Sequence, residues 1–526
     1  MTKRWKPPVE TTLAEERILR RCSKRKIFVF LRRYRHLLFD EPFQEQLWSM
    51  YSERERGRSR VHPATLCMAT LLQAALDVPD HEAVELTLDS ARWRMVLDFH
   101  GEHAPAFSQG TLFNFRERLI KHDMDQVLLQ RTVDVARQTR GFSSTRLRAA
   151  FDASPLWGAG RVEDTFNLIG RALGQVVRTA ASRHGISVEE LAKQAGAPVV
   201  MSSSTKAGLD LDWDDPNARS AGLRLLLGQV SAVEQWLQKE MQEALREPPL
   251  SDQWETLQRL IEQDTEPDPE GSGTERRVSR GVAKDRQVSL SDKDMRHGRK
   301  SKSKLFNGYK RHVAVDLDLP GLVVAVEVTA ANAPERVAAK PLLETLEKDG
   351  KKLEVLAIDR GYLGAQEVLD RERQGTRVLC KPFPLRNGGR FTKKDFKLDF
   401  VTGTVTCPAG NSRPMEPGHT VRFGRADCDE CTVREQCTRA APGRGRCLTI
   451  HPAELFHEEL RKRVKTQEGR HELRERVAVE HALARVGQRQ GTRARYRGLR
   501  KNLFDLRRHA AVNNLDLLGT GLAAAA

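Results

Sequence analysis

The stretch Lys352-Leu-Glu-Val-Leu-Ala-Ile-Asp359-Arg-Gly-Tyr362 constrains this chain more than any other. Leu353, Val355, Leu356, Ala357 and Ile358 make a nearly unbroken apolar run, the pattern of a strand buried on both faces. The run ends on Asp359. A carboxylate just past a buried strand is costly unless a metal or a cationic partner compensates it. In open α/β sheets chemistry collects at the carboxyl ends of strands. Asp359 therefore reads as half of a site whose other members lie elsewhere in the chain.

A second strand carrying a carboxylate is Arg146-Leu-Arg-Ala-Ala-Phe-Asp152, stopped by the Pro155 and Gly158 that follow. Tyr309–Asp316 and Leu322–Thr329 alternate as a hairpin across Leu317–Gly321. A helix over Pro334–Lys348, the Asp359 strand, a helix over Ala365–Gln374 and a strand over Thr376–Lys381 complete the series. Strand, hairpin, helix, strand, helix, strand is the order of a ribonuclease-H-like sheet. The expected fold is an α/β ribonuclease-H-like (retroviral-integrase-type) catalytic core with an all-α N-terminal domain and a helical insertion between the first two strands. The expected division is a helical N-terminal domain over 1–140 and a catalytic core over 145–160, 300–400 and 465–515. A mainly helical insertion with an exposed basic loop takes 161–299, and a Cys-rich insert takes 401–455.

Residues 12–135 read as helical, with Ala64–Leu76 a buried helix introduced by Pro63 and Ser108 the N-cap of a helix over Gln109–Ile120. This domain is open to two readings, a plain helical unit or a DNA-binding one. The net charge of +17 favours a polyanionic partner, and nucleic acid is the default. Twelve Lys/Arg against three acids fall in residues 1–36, and sixteen against five in 461–510. Met1–His36 has no sustained apolar core of a signal peptide, and no stretch approaches the ~20 apolar residues that span a bilayer. A cytosolic chain with no membrane partner is expected.

In the expected sheet Asp152 and Asp359 end neighbouring strands, although 207 residues separate them in sequence. Two carboxylates that close are not both ionised without a divalent cation. Two Mg²⁺ (or Mn²⁺) ions would clamp the oxygens of an in-line phosphodiester displacement, a chemistry that asks for a third carboxylate. Glu480 supplies it, in a helix over His471–Val486 whose core stripe is Leu473, Val477 and Ala484. Arg476, four residues earlier, shares its face and can pair with it. Taken alone, that pair is an ordinary salt bridge; beside two aspartates it reads as catalytic.

Ordered motifs here resemble bacterial insertion-sequence DDE transposases. Phe151-Asp-Ala-Ser-Pro-Leu-Trp157 resembles their first-aspartate segment, and Ile358-Asp-Arg-Gly-Tyr362 their second. Asp294–Ser301 and Phe306-Asn-Gly-Tyr-Lys310 resemble the approach to the second strand. Arg476 with Glu480, Arg495–Lys501 and Ala510–Asn514 resemble the glutamate region, and residues 36–125 the helical N-terminal domain. The resemblance implies Asp152, Asp359 and Glu480 as the metal-binding triad with two Mg²⁺. It implies double-stranded DNA, as terminal inverted repeats and target, and a homodimer or higher oligomer on it. It places the chain in the bacterial cytoplasm, at the nucleoid. The DNA contacts it implies are Arg296, Lys300, Lys310, Arg476, Arg495, Arg497 and Lys501. Leu473 stands where the family has Tyr, and Gly487 where it has Lys, so Arg485 or Arg489 is left to replace that Lys. The implied activity is cleavage at the element's ends followed by joining of a 3′-hydroxyl to target DNA. The rivals are a ribonuclease-H-like nuclease that does not join and a non-catalytic DNA-binding descendant.

Five of the eight cysteines fall between 407 and 447. Cys428-Asp-Glu-Cys431 has knuckle spacing, and Cys407 and Cys437 complete a tetrahedral set for one structural Zn²⁺, with Cys447 and His419 as substitutes. The other reading is a loop of reduced thiols. Cys22, Cys67 and Cys380 read as ordinary buried residues. Trp157 can stack on a base or sit in the core. Arg360 can meet a phosphate or pair with Asp359, and His297 can meet DNA or solvent.

Overall fold

The computed structural model describes residues 4–22, 25–51, 61–100, 103–140, 146–270, 275–301 and 303–524. Helices run through the N-terminal part, among them α1 (Lys26–Leu38), α2 (Pro63–Leu76) and α3 (Met124–Arg140). Pro63 fixes the first turn of α2, and the His62 ring accepts from the Ala64 N–H at 3.1 Å. Twelve of the fourteen α2 residues are buried. A helix apolar on all sides is a core helix. The helical stretch from Asp80 to Leu97 is two helices, Asp80–Asp89 and Ala91–Leu97, because Ser90 caps the second by accepting from Trp93 N–H.

The basic N-terminal run is not a solvated arm. Residues 1–3 and 23–24 of it lie outside the described residues. Arg32 is buried against Glu15 at 2.6 Å, and Arg35 donates to the Met95 and Val96 carbonyls at 2.7 Å. Phe28, Phe30 and Leu31 anchor the same helix in the main core. Part of this charge serves packing.

The main sheet contains β1 (Arg146–Trp157), β2 (Arg296–Arg299), β3 (Leu305–Asp316), β4 (Val323–Ala330), β5 (Lys352–Ala357) and β6 (Arg377–Leu379). Its order is β4–β3–β1–β5–β6, with β2 extending the β4 edge along the first residues of β3. β1 runs antiparallel to β3 and parallel to β5. Pro155 does not stop β1, contrary to the expectation from sequence. Beyond Ala150 the strand pairs with β3 alone, and the Trp157 N–H points away from β3, to Thr492 O. By the period of two, the missing N–H of Pro155 faces that same unpaired edge, where a proline is tolerated.

α4 (Val477–Gln490) and α5 (Leu499–Ala524) return to this sheet. Asn514 of α5 is buried; it accepts from Val323 N–H at 2.8 Å, donates to Val323 O at 2.7 Å and donates to Thr132 Oγ1 at 2.9 Å. One amide thus joins the edge of β4 to α3. The helical N-terminal part, the sheet and α5 share one hydrophobic core.

Residues between β1 and β2 form a helical insertion with its own core, led by Thr165–His184, Pro216–Glu240 and Leu250–Asp264. The expected exposed loop at 265–303 is packed in its second half, over Gln287–Leu290, Asp292 and Met295, and exposed in much of the rest; residues 271–274 and 302 of it lie outside the described residues. Gln287, Ser289, Asp292 and Met295 are buried, because Asp292 accepts from the Tyr309 hydroxyl and from Gly498 N–H. The Cys-rich insert also has a core of its own, with Val405, Phe423, Leu448 and Ile450 among its buried residues. Among the described residues, no helix is long and apolar enough to cross a membrane.

Candidate active site

Ala150 of β1 lies level with Ala357 of β5. Asp152 stands two residues further along β1 and Asp359 two residues beyond the end of β5, as the N-cap of the short helix Arg360–Leu363, in a sheet whose strands are about 4.8 Å apart. Each carboxylate is held by the next backbone amide. Asp152 Oδ1 accepts from Ala153 N–H, and Asp359 Oδ1 from Arg360 N–H, both at 2.8 Å. The second oxygens are left to face the site. Burial raises the Asp152 pKa, the Ala153 amide and Arg476 oppose that, and the charges of Asp359 and Glu480 raise it further.

Glu480 reaches this place through Arg476. The guanidinium lies 2.5 Å from Glu480 Oε1 and 3.4 Å from Asp152 Oδ2. The route differs from the sequence reading. Arg474, Glu475, Val477 and Val479 each donate three residues back, so the chain before and into α4 is wound more tightly than an α-helix. The core covers a different face of α4 from the expected one. The buried stripe is Val479, Ala482, Leu483 and Val486, while Val477 and Ala484 are exposed. Glu480 is therefore not a core position occupied by an acid; its side chain is 48 % exposed and meets the site from the rim.

Glu335, which the sequence reading missed, is a fourth acid. It follows Pro334 at the start of the turn after β4, and a Cβ on Gly361 would lie 1.9 Å from its carboxylate. Burial raises its pKa, Lys310 opposes this, and Asp359 and Asp152 add to the rise. The signal that located Asp359, a charge directly after an apolar run, was absent here, because four residues separate Glu335 from the end of β4. Behind the acids, the buried Tyr362 hydroxyl meets His312 Nδ1 at 2.6 Å, and His312 Nε2 meets Thr329 Oγ1 at 2.9 Å. Burial lowers the His312 pKa to about 3, so the ring is neutral and serves as a wall.

The other expected DNA contacts are scattered. Arg296 pairs with Asp285 at 2.9 Å, Lys501 with Glu117 at 2.8 Å, and Arg495 with Asp77. Lys310 donates to Ala333 O at 2.7 Å, and Arg485 to Asn513 Oδ1 at 3.3 Å. Arg489 pairs with Asp516. At about 100° per residue, Arg485 and Arg489 leave α4 on the side away from Glu480. Lys300 and Arg497 are exposed. His297 Nδ1 meets Asn307 Oδ1 at 3.0 Å, and Arg360 donates to Pro382 O at 2.9 Å rather than pairing with Asp359.

Cys407, Cys428, Cys431 and Cys437 line one small cavity with Phe423 and Arg446. Burial raises the Cys437 thiol pKa, Arg446 opposes it, and the other three sulfurs add to the rise, which marks their closeness. Cys447 is exposed, and the His419 side chain is 73 % exposed. Among the described residues, no group of three or more His, Cys, Asp or Glu side chains is arranged ready to hold a metal ion. In donor chemistry both places fit one. The acids around Arg476 offer only hard oxygens, and the cation among them, Arg476, has a buried Nη1 with no hydrogen-bond partner. The second place offers four sulfurs.

The chain matches no curated protein and no solved structure. Residues 16–118 match the family model of a transposase domain of otherwise uncharacterised role (DUF772), and residues 406–518 match that of a transposase DDE domain. The second match contains Glu480 and begins beyond Asp152 and Asp359. Two transposase models matched in this order on one chain indicate an insertion-sequence DDE transposase.

Proposed function

We propose that this chain cleaves the ends of its insertion sequence and joins them to target DNA, on a ribonuclease-H-like sheet with Asp152, Asp359 and Glu480 as the catalytic triad. One observation carries the reading: β1 and β5, level at Ala150 and Ala357, lead to Asp152 and Asp359, whose charges act on each other, and Arg476 ties Asp152 to Glu480. The strand order β4–β3–β1–β5–β6 supports the sheet type. The three carboxylates are the residues that would hold two Mg²⁺ or Mn²⁺ ions. Such ions, when bound, stabilise the attacking and leaving oxygens of an in-line phosphodiester displacement.

The chain's own contribution is orientation and charge. The Ala153 and Arg360 amides fix one oxygen of each aspartate and leave the other for a ligand. Arg476 compensates the cluster's negative charge and, once released, can turn to a DNA phosphate. Lys300 and Arg497 are exposed for phosphate contacts, while Arg296, Lys310, Arg485, Arg495 and Lys501 must exchange internal partners to make them. The partner is double-stranded DNA in a bacterial cytoplasm, engaged by a homodimer or higher oligomer.

The test uses the full chain, DNA carrying the sequences that flank its gene, and a second target DNA. Divalent-dependent cleavage at the ends followed by joined product is the expected result. Cleavage without joined product makes the chain a nuclease, and binding without cleavage makes it a DNA-binding protein.

The sulfur cluster is assigned a structural role within this reading. Cys407, Cys428, Cys431 and Cys437 would hold one Zn²⁺, tying together an insert whose own core is small. Elemental analysis of protein purified under reducing conditions without chelator should find about one zinc per chain, as a four-sulfur site predicts. Cys431→Ser should lose it and open residues 400–455 to protease with the sheet still folded. Wild-type protein free of zinc would sink the assignment.

A further inference from the structure

Trp157 ends β1 with its ring in solvent. It is 41 % exposed, the largest side chain among the exposed hydrophobics of the described residues. Its backbone is fully engaged: the N–H donates to Thr492 O at 2.9 Å, and the carbonyl accepts from Ala494 N–H at 2.6 Å. The indole meets Phe306 edge to face, with centroids 6.0 Å apart. The ring is thus held on one side and open on another. A packing role alone would have covered it.

The ring borders a cleft of about 710 Å³ whose charged lining consists of Arg161, Arg493 and Arg497. No acid lines it. Arg161 lies 3.6 Å from Glu163 with its own side chain 67 % exposed, and Arg493 donates to Gly158 O at 3.2 Å. Arg497 is exposed, and no ion pair involves it among the described residues. A nucleobase offers a π-face to an indole, and guanidinium groups suit the phosphates on either side of it.

Trp157 stands five residues beyond Asp152 on one strand, about 17 Å at ~3.4 Å per residue. The odd spacing sends the two side chains to opposite faces of the sheet. A duplex lying across the carboxylates keeps its bases stacked inside, so the indole is open only to a base that has left the stack. We infer that this cleft is a subsite for an unpaired nucleotide of the DNA substrate, its base on Trp157 and its phosphates on Arg161, Arg493 and Arg497. The inference rests on DNA being the substrate.

The test measures binding of the full chain to a 12-nucleotide oligothymidine and to a duplex of the same length by fluorescence anisotropy. Trp157→Ala should weaken oligothymidine binding about tenfold, in the range of one lost base stack. Duplex affinity should change less than about twofold, and Trp157→Phe should recover most of the loss, since a phenyl ring keeps a stacking face. Arg497→Ala should reduce the salt dependence on the single strand by about 0.7 in log–log slope. Equal losses on both DNAs, or no loss on either, overturn the subsite while leaving the transposase reading in place. Wild-type protein that binds neither DNA overturns both.

Discussion

Asp152→Asn, Asp359→Asn and Glu480→Gln should each lower divalent-dependent end cleavage by about a thousandfold or more, beyond the 10–100-fold typical of a lost outer-shell partner. The amides keep the size of each side chain and, in the two aspartates, the bond to the neighbouring N–H. What they remove is the anionic oxygen left facing the site, which no neighbour supplies in exchange. Glu335→Gln should fall in the 10–100-fold range, because Glu335 reaches the triad through Lys310 and the Gly361 backbone. Rates of nicking on an end-bearing duplex, measured against Mg²⁺, separate the two classes. Duplex affinity should change little in all four variants. A triad variant that cuts at near wild-type rate is not a metal ligand, and a Glu335→Gln loss as large as the others would make four ligands of three.

The half of this candidate site that lies at the sheet was legible because Asp152 sits on one strand and Asp359 just past another, in an element order that makes the two strands neighbours. An apolar run such as Leu353–Ile358 admits few positions in a fold, and in the sheet it lies between two parallel partners, one of them the strand containing Asp152. The helical half was read on the wrong face. Val477, Glu480 and Ala484 do share one face of α4, but the core covers the face of Val479, Ala482, Leu483 and Val486, and which face is covered is set by contacts remote in sequence. Buried arginines were invisible for the same reason. Arg32 is buried because Glu15, seventeen residues away, folds back onto it. Pro155 was misread as a stop because whether a strand edge is paired is a property of its neighbours.

The largest effect on stability should come from Asp505→Ala, whose side chain is fully buried behind the site. Asp505 accepts from Arg508 Nε at 2.8 Å and from Gln490 Nε2 at 3.1 Å. Gln490 Oε1 in turn accepts from Arg311 at 3.1 Å, and Arg311 donates to Ser154 Oγ at 2.8 Å, two residues from Asp152 on β1. On the other side Arg508 lies over the rings of Tyr496 and Phe504. One carboxylate thus compensates two buried guanidinium groups. Burial lowers the Arg311 pKa to about 10, and the charge of Asp505 opposes that. Removing one partner of a buried pair costs about 3–5 kcal/mol, a large share of the 5–15 kcal/mol that holds a typical domain. Asp505→Asn should show most of that loss while keeping the shape, and adding Arg508→Met should recover part of it, since Arg311 stays uncompensated. The pH dependence identifies the charge as the cause. Burial alone would raise the Asp505 pKa, but Arg508, His509 and Gln490 outweigh it and the pKa is lowered. A lowered carboxylate pKa contributes stability above the unfolded value near 3.9, and loses it as pH falls through the folded value. The difference in melting temperature between wild type and Asp505→Asn should therefore be constant from about pH 5 to 8 and narrow only below about pH 4. A gap that closes near neutrality would place the effect on His509 instead, and no gap at all would mean the guanidinium groups find other partners.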